Sequence, residues 1–250
     1  MKVVVMGGTG MIGSKVVANL VQRGHEAVAA SPQTGCNTLT GEGLADAVRG
    51  ADVVVDVSNS PSWDDEAVLN FFVTSTMNQL AAEEAAGVGH HVALSIVGAD
   101  REPDSGYLRA KVAQERVIIE SGRPFTILRS TQFFEFVRGV ADAAADGDTI
   151  RLTTALFQPI AADEVAMFLT EAALAPPADA IIEIGGPEPI SLDELVRRAL
   201  ARDGDPRVVT ADTNARYFGA EVKERSLIPG PHARLGSVRF DDWLKDSAAT

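Results

Sequence analysis

Lys2-Val-Val-Val-Met-Gly7-Gly-Thr9-Gly10-Met11-Ile12-Gly13-Ser-Lys-Val-Val-Ala-Asn-Leu-Val-Gln-Arg23 decides the fold of this chain. Three consecutive valines make the short apolar run of a strand buried on both faces, and four glycines stand among the seven residues from Gly7 to Gly13. A strand, a tight turn and a helix are written there in order. The glycines read as Gly8-x-Gly10-x-x-Gly13 or as Gly7-x-x-Gly10-x-x-Gly13. In either spacing one glycine turns the chain, another lets backbone N–H groups approach a pyrophosphate, and Gly13 lets the helix lie close on the strand. The helix carries Met11, Ile12, Val16, Val17, Leu20 and Val21 at helical spacing, and the unpaired N–H groups at its start favour negative charge. The reading is a dinucleotide-phosphate site, against the plainer one of a glycine-rich turn with no ligand.

Working outward, the pattern repeats. Gly24-His-Glu26 turns into a strand at Ala27 to Ala30, a short strand is expected from Asn37 to Thr40, and Glu42 to Arg49 reads as a short helix ended by Gly50. Ala51 to Asp56 is a second buried strand that runs out into Val57-Ser58-Asn59-Ser60-Pro61. In an open parallel sheet ligands lie outside the carboxyl ends of the strands, so this polar exit is placed to line a cofactor groove. A helix follows from about Asp64 to Ala86 behind the capping signature Ser62-Trp-Asp-Asp65; then come a strand at His91 to Ser95, a helix at Tyr107 to Glu120 and a strand at Phe125 to Arg129. Connections this short between strand and helix permit only crossovers, which predicts an α/β fold with a parallel sheet covered on both faces.

Beyond it a helix is expected at Phe136 to Ala145 and a short strand at Ile150 to Leu152. A helix at about Ala162 to Ala173, a strand at Ala180 to Ile184 and a helix opened by the capping box Ser191-Leu-Asp-Glu194 follow. The tail from Asp203 to Thr250 is rich in Gly, Pro and charge but keeps Tyr217, Phe218, Leu227, Phe240 and Trp243, so it is expected to pack as a small lobe. The division expected is 1–155 for the dinucleotide-binding part and 156–250 for a lobe that contributes to the substrate pocket.

At 250 residues and 46% hydrophobic the chain can bury a large core, and no apolar run approaches the roughly 20 residues that span a bilayer. The expectation is a protein of the cytoplasm with no membrane contact. A formal net charge of −13, without any run of Lys or Arg, disfavours nucleic acid. Cys36 is the single cysteine and reads as inert. His90 and His91 are adjacent on a strand, point to opposite faces and argue against a shared metal; no metal site is predicted.

The chemistry is expected from three residues. Tyr107-Leu-Arg-Ala-Lys111 sets a phenol and an ammonium one helical turn apart, and Ser95 ends a strand twelve residues before Tyr107. Together Ser95 would hold a carbonyl oxygen, Tyr107 would exchange its proton, and Lys111 would lower the phenol pKa while holding a ribose. At the end of the second strand no acidic residue stands to bond an adenosine ribose; small Ala29, Ala30 and Ser31 leave room for a 2′-phosphate, and no Arg or Lys follows to pair with it. NADP is favoured over NAD as cofactor.

With these motifs the chain resembles the short-chain dehydrogenase/reductase superfamily, and its glycine spacing and long C-terminal region are similar to the atypical, NmrA-like branch. The resemblance covers about residues 1 to 200 and implies a Rossmann-like, doubly wound fold. It implies that Met11 and Ile12 pack on the cofactor near its pyrophosphate, that Val57, Ser58, Asn59 and Ser60 lie beside its adenosine and ribose, and that Thr131, Gln132 and Phe133 flank the nicotinamide. Phe133, Phe134, Phe136 and Phe157 would form an apolar substrate wall, or serve as core aromatics. Many NmrA-like members place an Arg after the second strand where this chain has Ser31-Pro32-Gln33. Some members lack the Tyr and Lys and act as redox sensors; this chain keeps both. The function expected is hydride transfer from NAD(P)H to a carbonyl or quinone-like small molecule; a dinucleotide-binding sensor and a nucleotide-sugar epimerase or dehydratase are the alternatives. Substrate identity and assembly into a homo-oligomer are left open by the sequence.

Overall fold

Val3 to Val5 are fully buried because helices cover both faces of the strand they form, β1 (Lys2–Met6). The computed structural model describes residues 1–101 and 104–246. After β1 come α1 (Met11–Gln22), β2 (Glu26–Ala30), α2 (Leu44–Ala47), β3 (Val53–Asp56), α3 (Asp65–Ala86), β4 (His90–Ile96), α4 (Gly106–Glu120) and β5 (Phe125–Ser130). The chain continues through α5 (Val137–Ala143), β6 (Ala145–Asp146), β7 (Thr149–Leu152), β8 (Leu156–Phe157), α6 (Ala162–Leu174) and β9 (Ala180–Gly185). It ends with β10 (Ile190–Ser191), α7 (Leu192–Asp203), β11 (Val208–Ala211), β12 (Arg234–Leu235) and α8 (Phe240–Asp246). No helix among the described residues is long and apolar enough to cross a membrane.

Among the described residues seven strands form one sheet in the order β12-β9-β5-β4-β3-β1-β2, every neighbouring pair parallel. This is the doubly wound α/β architecture expected. The register aligns Met6 with both Ala30 and Asp56, so β1, β2 and β3 end level and their exits share one edge. Strand alternation then divides the core. Val3, Val5, Val53, Val55, Val92 and Leu128 pack with Ile12, Val16 and Leu20 of α1 and Val165 and Leu169 of α6, an apolar layer. Val4, Met6 and Val54 face the other way, toward Cys36, Leu44 and Val48, and α3 and α4 cover the rest of that face. At tens of Å² per side chain and roughly 25 cal/mol per Å², burial of two such layers is the main stabilising term.

Four expectations are corrected. Asn37 to Thr40 is a turn, not a strand: Asn37 Oδ1 accepts from Leu39 N at 3.0 Å, and Asn78 of α3 donates to the carbonyls of Thr38 and Leu39, so the backbone groups a ladder would need are taken. Ser191 precedes α7 but makes no side-chain cap, since Glu194 is drawn to Arg197 and Arg198 instead. The helix expected at Phe136 to Ala145 is α5, and it begins at Val137 after a turn of 3₁₀ helix at Phe134–Phe136. The division at 155/156 is not where the sheet ends, because β9 and β12 both return to it from the second part of the chain. The remainder of that part has its own core, in which Phe134, Val196, Leu200, Phe240 and Leu244 pack together with Tyr217 and Trp243 against them. The last four residues of the tail lie outside the described residues.

Candidate functional site

The glycine turn is shaped by close approach. Gly7 has φ +77° and donates its N–H to Ala30 O at 2.8 Å, while Gly8 donates to Val5 O at 3.0 Å and Gly10 to Gly7 O at 2.9 Å. A Cβ at Gly8 would come within 2.6 Å of Ala29 Cα, and one at Gly13 would run into the Gly7 carbonyl. At Gly10 the nearest atom is Gly7 O at 3.2 Å, and the outer side is open. Packing of the protein on itself therefore requires the first two, and Gly10 is the one that leaves room for something else. Gly10 is also the N-cap of α1, with no side-chain cap and no acidic residue in the first turn, so the first N–H groups of the helix face outward. Phosphate fits there by charge and by space.

The same edge carries the other expected cofactor residues. A Cβ on Gly7 would touch Val57 O at 2.9 Å and the Ser58 backbone at 3.0 Å, so the β3 exit lies directly against the turn. Ser31 is 5% exposed and its Oγ has no partner; the same holds for Thr131 Oγ1 and Gln132 Oε1 beyond β5. A buried hydroxyl or amide left unpaired costs free energy, and three of them at one sheet edge are what a bound polar group would satisfy. Phe133 packs into the apolar layer that contains Ile12, while Thr9 and Met11 are exposed. The residues present thus fit a dinucleotide.

Asp56 organises this edge, and the sequence did not single it out. One carboxylate oxygen accepts from Ser58 N at 2.9 Å and Ser58 Oγ at 2.6 Å; the other accepts from Gln79 at 3.2 Å and Gln114 at 2.9 Å. Ser58 is thereby pinned to β3. Asn59, next to it, accepts from the Tyr107 hydroxyl at 2.8 Å.

The catalytic set expected from the sequence is not assembled as expected. Tyr107 stands half-buried at the start of α4, its ring 5.6 Å from Phe72 and 5.4 Å from Trp63. Ser95 is 2% exposed and donates to Glu115 at 2.6 Å, and Glu115 lies eight residues beyond Tyr107 on α4, about 12 Å along the helix axis. Ser95 thus belongs to a buried node with Glu115 and Arg129, which exposed Asp100 caps from the surface. Lys111 is buried as well. Its Nζ donates to Leu94 O at 2.8 Å and to Gln114 Oε1, and sits 4.3 Å over the ring of Phe72. The expected lowering of the Tyr107 pKa is also corrected: burial pushes the phenol above its ordinary value. Burial likewise holds Lys111 down to about 8, against the pull of Asp56 and Glu115 in the opposite direction.

Of the expected aromatic wall, Phe133 and Phe136 stack at 5.5 Å, with Phe136 on the surface. Phe134 and Phe157 are 1% exposed and lie in the core built around α5 and α7, the second of the two roles open to them. Trp63, Tyr217 and Phe218 were not anticipated at the site, since residues 63 and 218 are far apart in the sequence and meet only through the fold. His90 and His91 face different partners, Thr126 at 2.9 Å and Glu83 at 2.8 Å.

The sequence model of the family described as NAD(P)H-binding matches residues 7–176. A divinyl chlorophyllide a 8-vinyl-reductase of the chloroplast of Cucumis sativus is 26% identical over 241 residues, covering 80% of this chain and 57% of that protein. The photosystem II assembly factor Ycf39 of Synechocystis is 25% identical over 153 residues, 56% of this chain and 47% of that protein. The chain thus spans about half the length of these curated relatives. Among solved structures, a short-chain dehydrogenase/reductase superfamily protein from Agrobacterium tumefaciens with bound NAD superposes with a TM-score of 0.75 at 19% identity, covering 100% of this chain and 96% of that one. At that identity the likeness shows the fold.

Proposed function

The chain belongs to the NAD(P)H-binding family, and from that premise we propose that it is an oxidoreductase of the short-chain dehydrogenase/reductase type, in its NmrA-like branch, acting on a carbonyl or quinone-like small molecule. When bound, NAD(P)H supplies the hydride. The unpaired backbone N–H groups of the first turn of α1 would hold the pyrophosphate in the space left open at Gly10, Met11 and Ile12 would pack beside it, and Ser31 with Val57 to Ser60 would line the adenosine and ribose. Thr131, Gln132 and Phe133 take the nicotinamide end. Tyr107 gives the proton: its hydroxyl exchanges Asn59 Oδ1 for the acceptor oxygen as negative charge develops there. Lys111 acts from within, as a buried charge behind the ring of Phe72.

The observation that carries this reading is the hydrogen bond from Tyr107 to Asn59, which ties the phenol to the loop beside the glycine turn. The test is a panel of carbonyls and quinones with NADPH and NADH, followed at the nicotinamide absorbance. Turnover that requires Tyr107 supports it, and dinucleotide binding without turnover on any acceptor defeats it.

NADP is the cofactor we propose, since no carboxylate stands at Ala30 to Gln33 and the Ser31 hydroxyl is unpartnered. Ser31→Asp should shift preference toward NADH in equilibrium titrations. A wild type that already prefers NADH strongly would contradict this choice.

One observation favours a second reading. Ser95 and Lys111 are both committed to interior partners, which leaves Tyr107 as the lone member of its set at the groove. A dinucleotide-binding sensor that does little chemistry needs no more than that. The same acceptor panel separates the two.

A further inference from the structure

Residues 217–230 run along the carboxyl edge of the sheet. Gly98 packs against Ser226 so closely that a Cβ there would strike its carbonyl, Arg101 donates to Ile228 O at 2.8 Å, and Glu183 accepts from Gly230 N. At the other end of this segment, Tyr217 and Ala220 exchange hydrogen bonds of 2.9 and 3.0 Å and close a two-residue turn. Its central residues, Phe218 and Gly219, have φ of +46° and +82°. Two-residue turns with positive φ at both centres strongly favour Asn-Gly, and an aromatic residue is strained at the first position. Here a phenylalanine holds it and is 63% exposed.

The side chain stays mostly exposed, its one edge contact being with Tyr217, the ring centroids 4.8 Å apart. It faces Trp63, itself 72% exposed, with the two ring planes 3° from parallel and their centroids 6.3 Å apart. Trp63 in turn lies 5.4 Å from Tyr107. Two large exposed aromatic rings from distant parts of the chain are thus aligned in parallel beside the proposed proton donor.

We propose that Trp63 and Phe218 form a clamp that selects a flat, apolar acceptor, an aryl ketone or fused-ring quinone, and stacks it beside Tyr107. The clamp rests on the hydride-transfer reading for its chemistry. The strained turn holds the Phe218 ring parallel to Trp63, with most of its surface left open to an acceptor.

The experiment uses Phe218→Asn, which restores the residue the turn prefers and should leave the melting temperature no lower than wild type. With NADPH, the ratio of kcat/KM for 1,4-naphthoquinone to that for butane-2,3-dione should fall about tenfold, through KM, the size expected for one lost aromatic contact. Phe218→Tyr should keep the ratio. An unchanged ratio in Phe218→Asn overturns the clamp. A second readout does not need turnover: the chain has two tryptophans, so Trp243→Phe leaves Trp63 as the sole tryptophan, which can be excited selectively. Naphthoquinone should then quench it saturably, with an apparent Kd about tenfold weaker when Phe218→Asn is added. If no acceptor is reduced but this quenching holds, the hydride-transfer reading fails and the clamp stands; linear quenching indifferent to Phe218 overturns the clamp.

Discussion

The hydroxyl of Ser95 donates to Glu115 at 2.6 Å, and Glu115 is held in turn by Arg129 through two hydrogen bonds of 2.8 and 2.6 Å. Ser95 and Arg129 are paired residues of β4 and β5, so this node ties two strands to α4. It turns a serine that reads as a substrate ligand into a structural one. Ser95→Ala leaves a buried carboxylate short of one donor, which costs about 1–3 kcal/mol. Urea denaturation should show that loss while kcat stays within about twofold, far less than general-acid loss would cost. A kcat drop of about 100-fold with unchanged stability would return Ser95 to the catalytic set.

The glycines of the first turn should separate folding from binding. A side chain at Gly13 meets the Gly7 carbonyl, whereas one at Gly10 meets a single atom at 3.2 Å. Gly13→Val is therefore expected to unfold the protein or lower its melting temperature steeply. Gly10→Val should fold and lose dinucleotide affinity, since it fills the space before the first N–H groups of α1. Circular dichroism with an NADPH fluorescence titration reads both, and a folded Gly10→Val protein with wild-type affinity would remove the phosphate from that position.

The fold was legible because β1, β3 and α1 are apolar in the periods their structures demand, and Gly7 to Gly13 mark the turn between them. The site was legible at its edge but not in its interior. On the face covered by α3 and α4, alternation places Asp56, His91, Ser95 and Arg129 beside Gln79, Glu83, Lys111, Gln114 and Glu115, every one of them buried. A polar residue on a helix reads as solvent-facing, so nothing in the spacing of Gln79 or Gln114 shows that both meet one carboxylate at the end of β3. Residues 63 and 218 meet only through the fold, and no local pattern could have joined them.

Lys111 predicts how stability varies in mild alkali. Its folded pKa is held down to about 8, first by burial, from 10.5. Between these values the folded protein has released a proton that the unfolded chain keeps, so this group makes stability rise with pH, by up to about 1.4 kcal/mol per pH unit. Below pH 8 both states are protonated and the contribution is flat. Cys36, raised by burial from 9.0, acts in the opposite sense within the same range, and Tyr107 and Tyr217 do so above about pH 10, so the Lys111 contribution is read between about pH 8 and 9.5 as a difference from a variant that lacks it. Urea midpoints across that window should climb more in wild type than in Lys111→Met, and parallel profiles would show that the ammonium is not desolvated.

Tyr107 carries the sharpest expectation. Hydride arriving at carbon leaves negative charge on oxygen, and a positioned acid lowers that transition state. The phenol is held by Asn59 at 2.8 Å and wedged between Phe72 and Trp63, so its direction is set before an acceptor binds. Burial raises its pKa, which keeps it protonated at neutral pH but makes it a weaker acid, so its contribution comes from its position against the groove. The phenol itself adds no pH dependence near neutrality, and a fall in reduction around pH 8 would report the loss of the Lys111 charge behind Phe72. Tyr107→Phe removes the hydroxyl and leaves the ring contacts, so fold and dinucleotide affinity should persist while kcat for a carbonyl falls by about 10²–10⁴-fold. A Tyr107→Phe protein with near wild-type turnover on the same carbonyl would place the proton donor elsewhere in the groove.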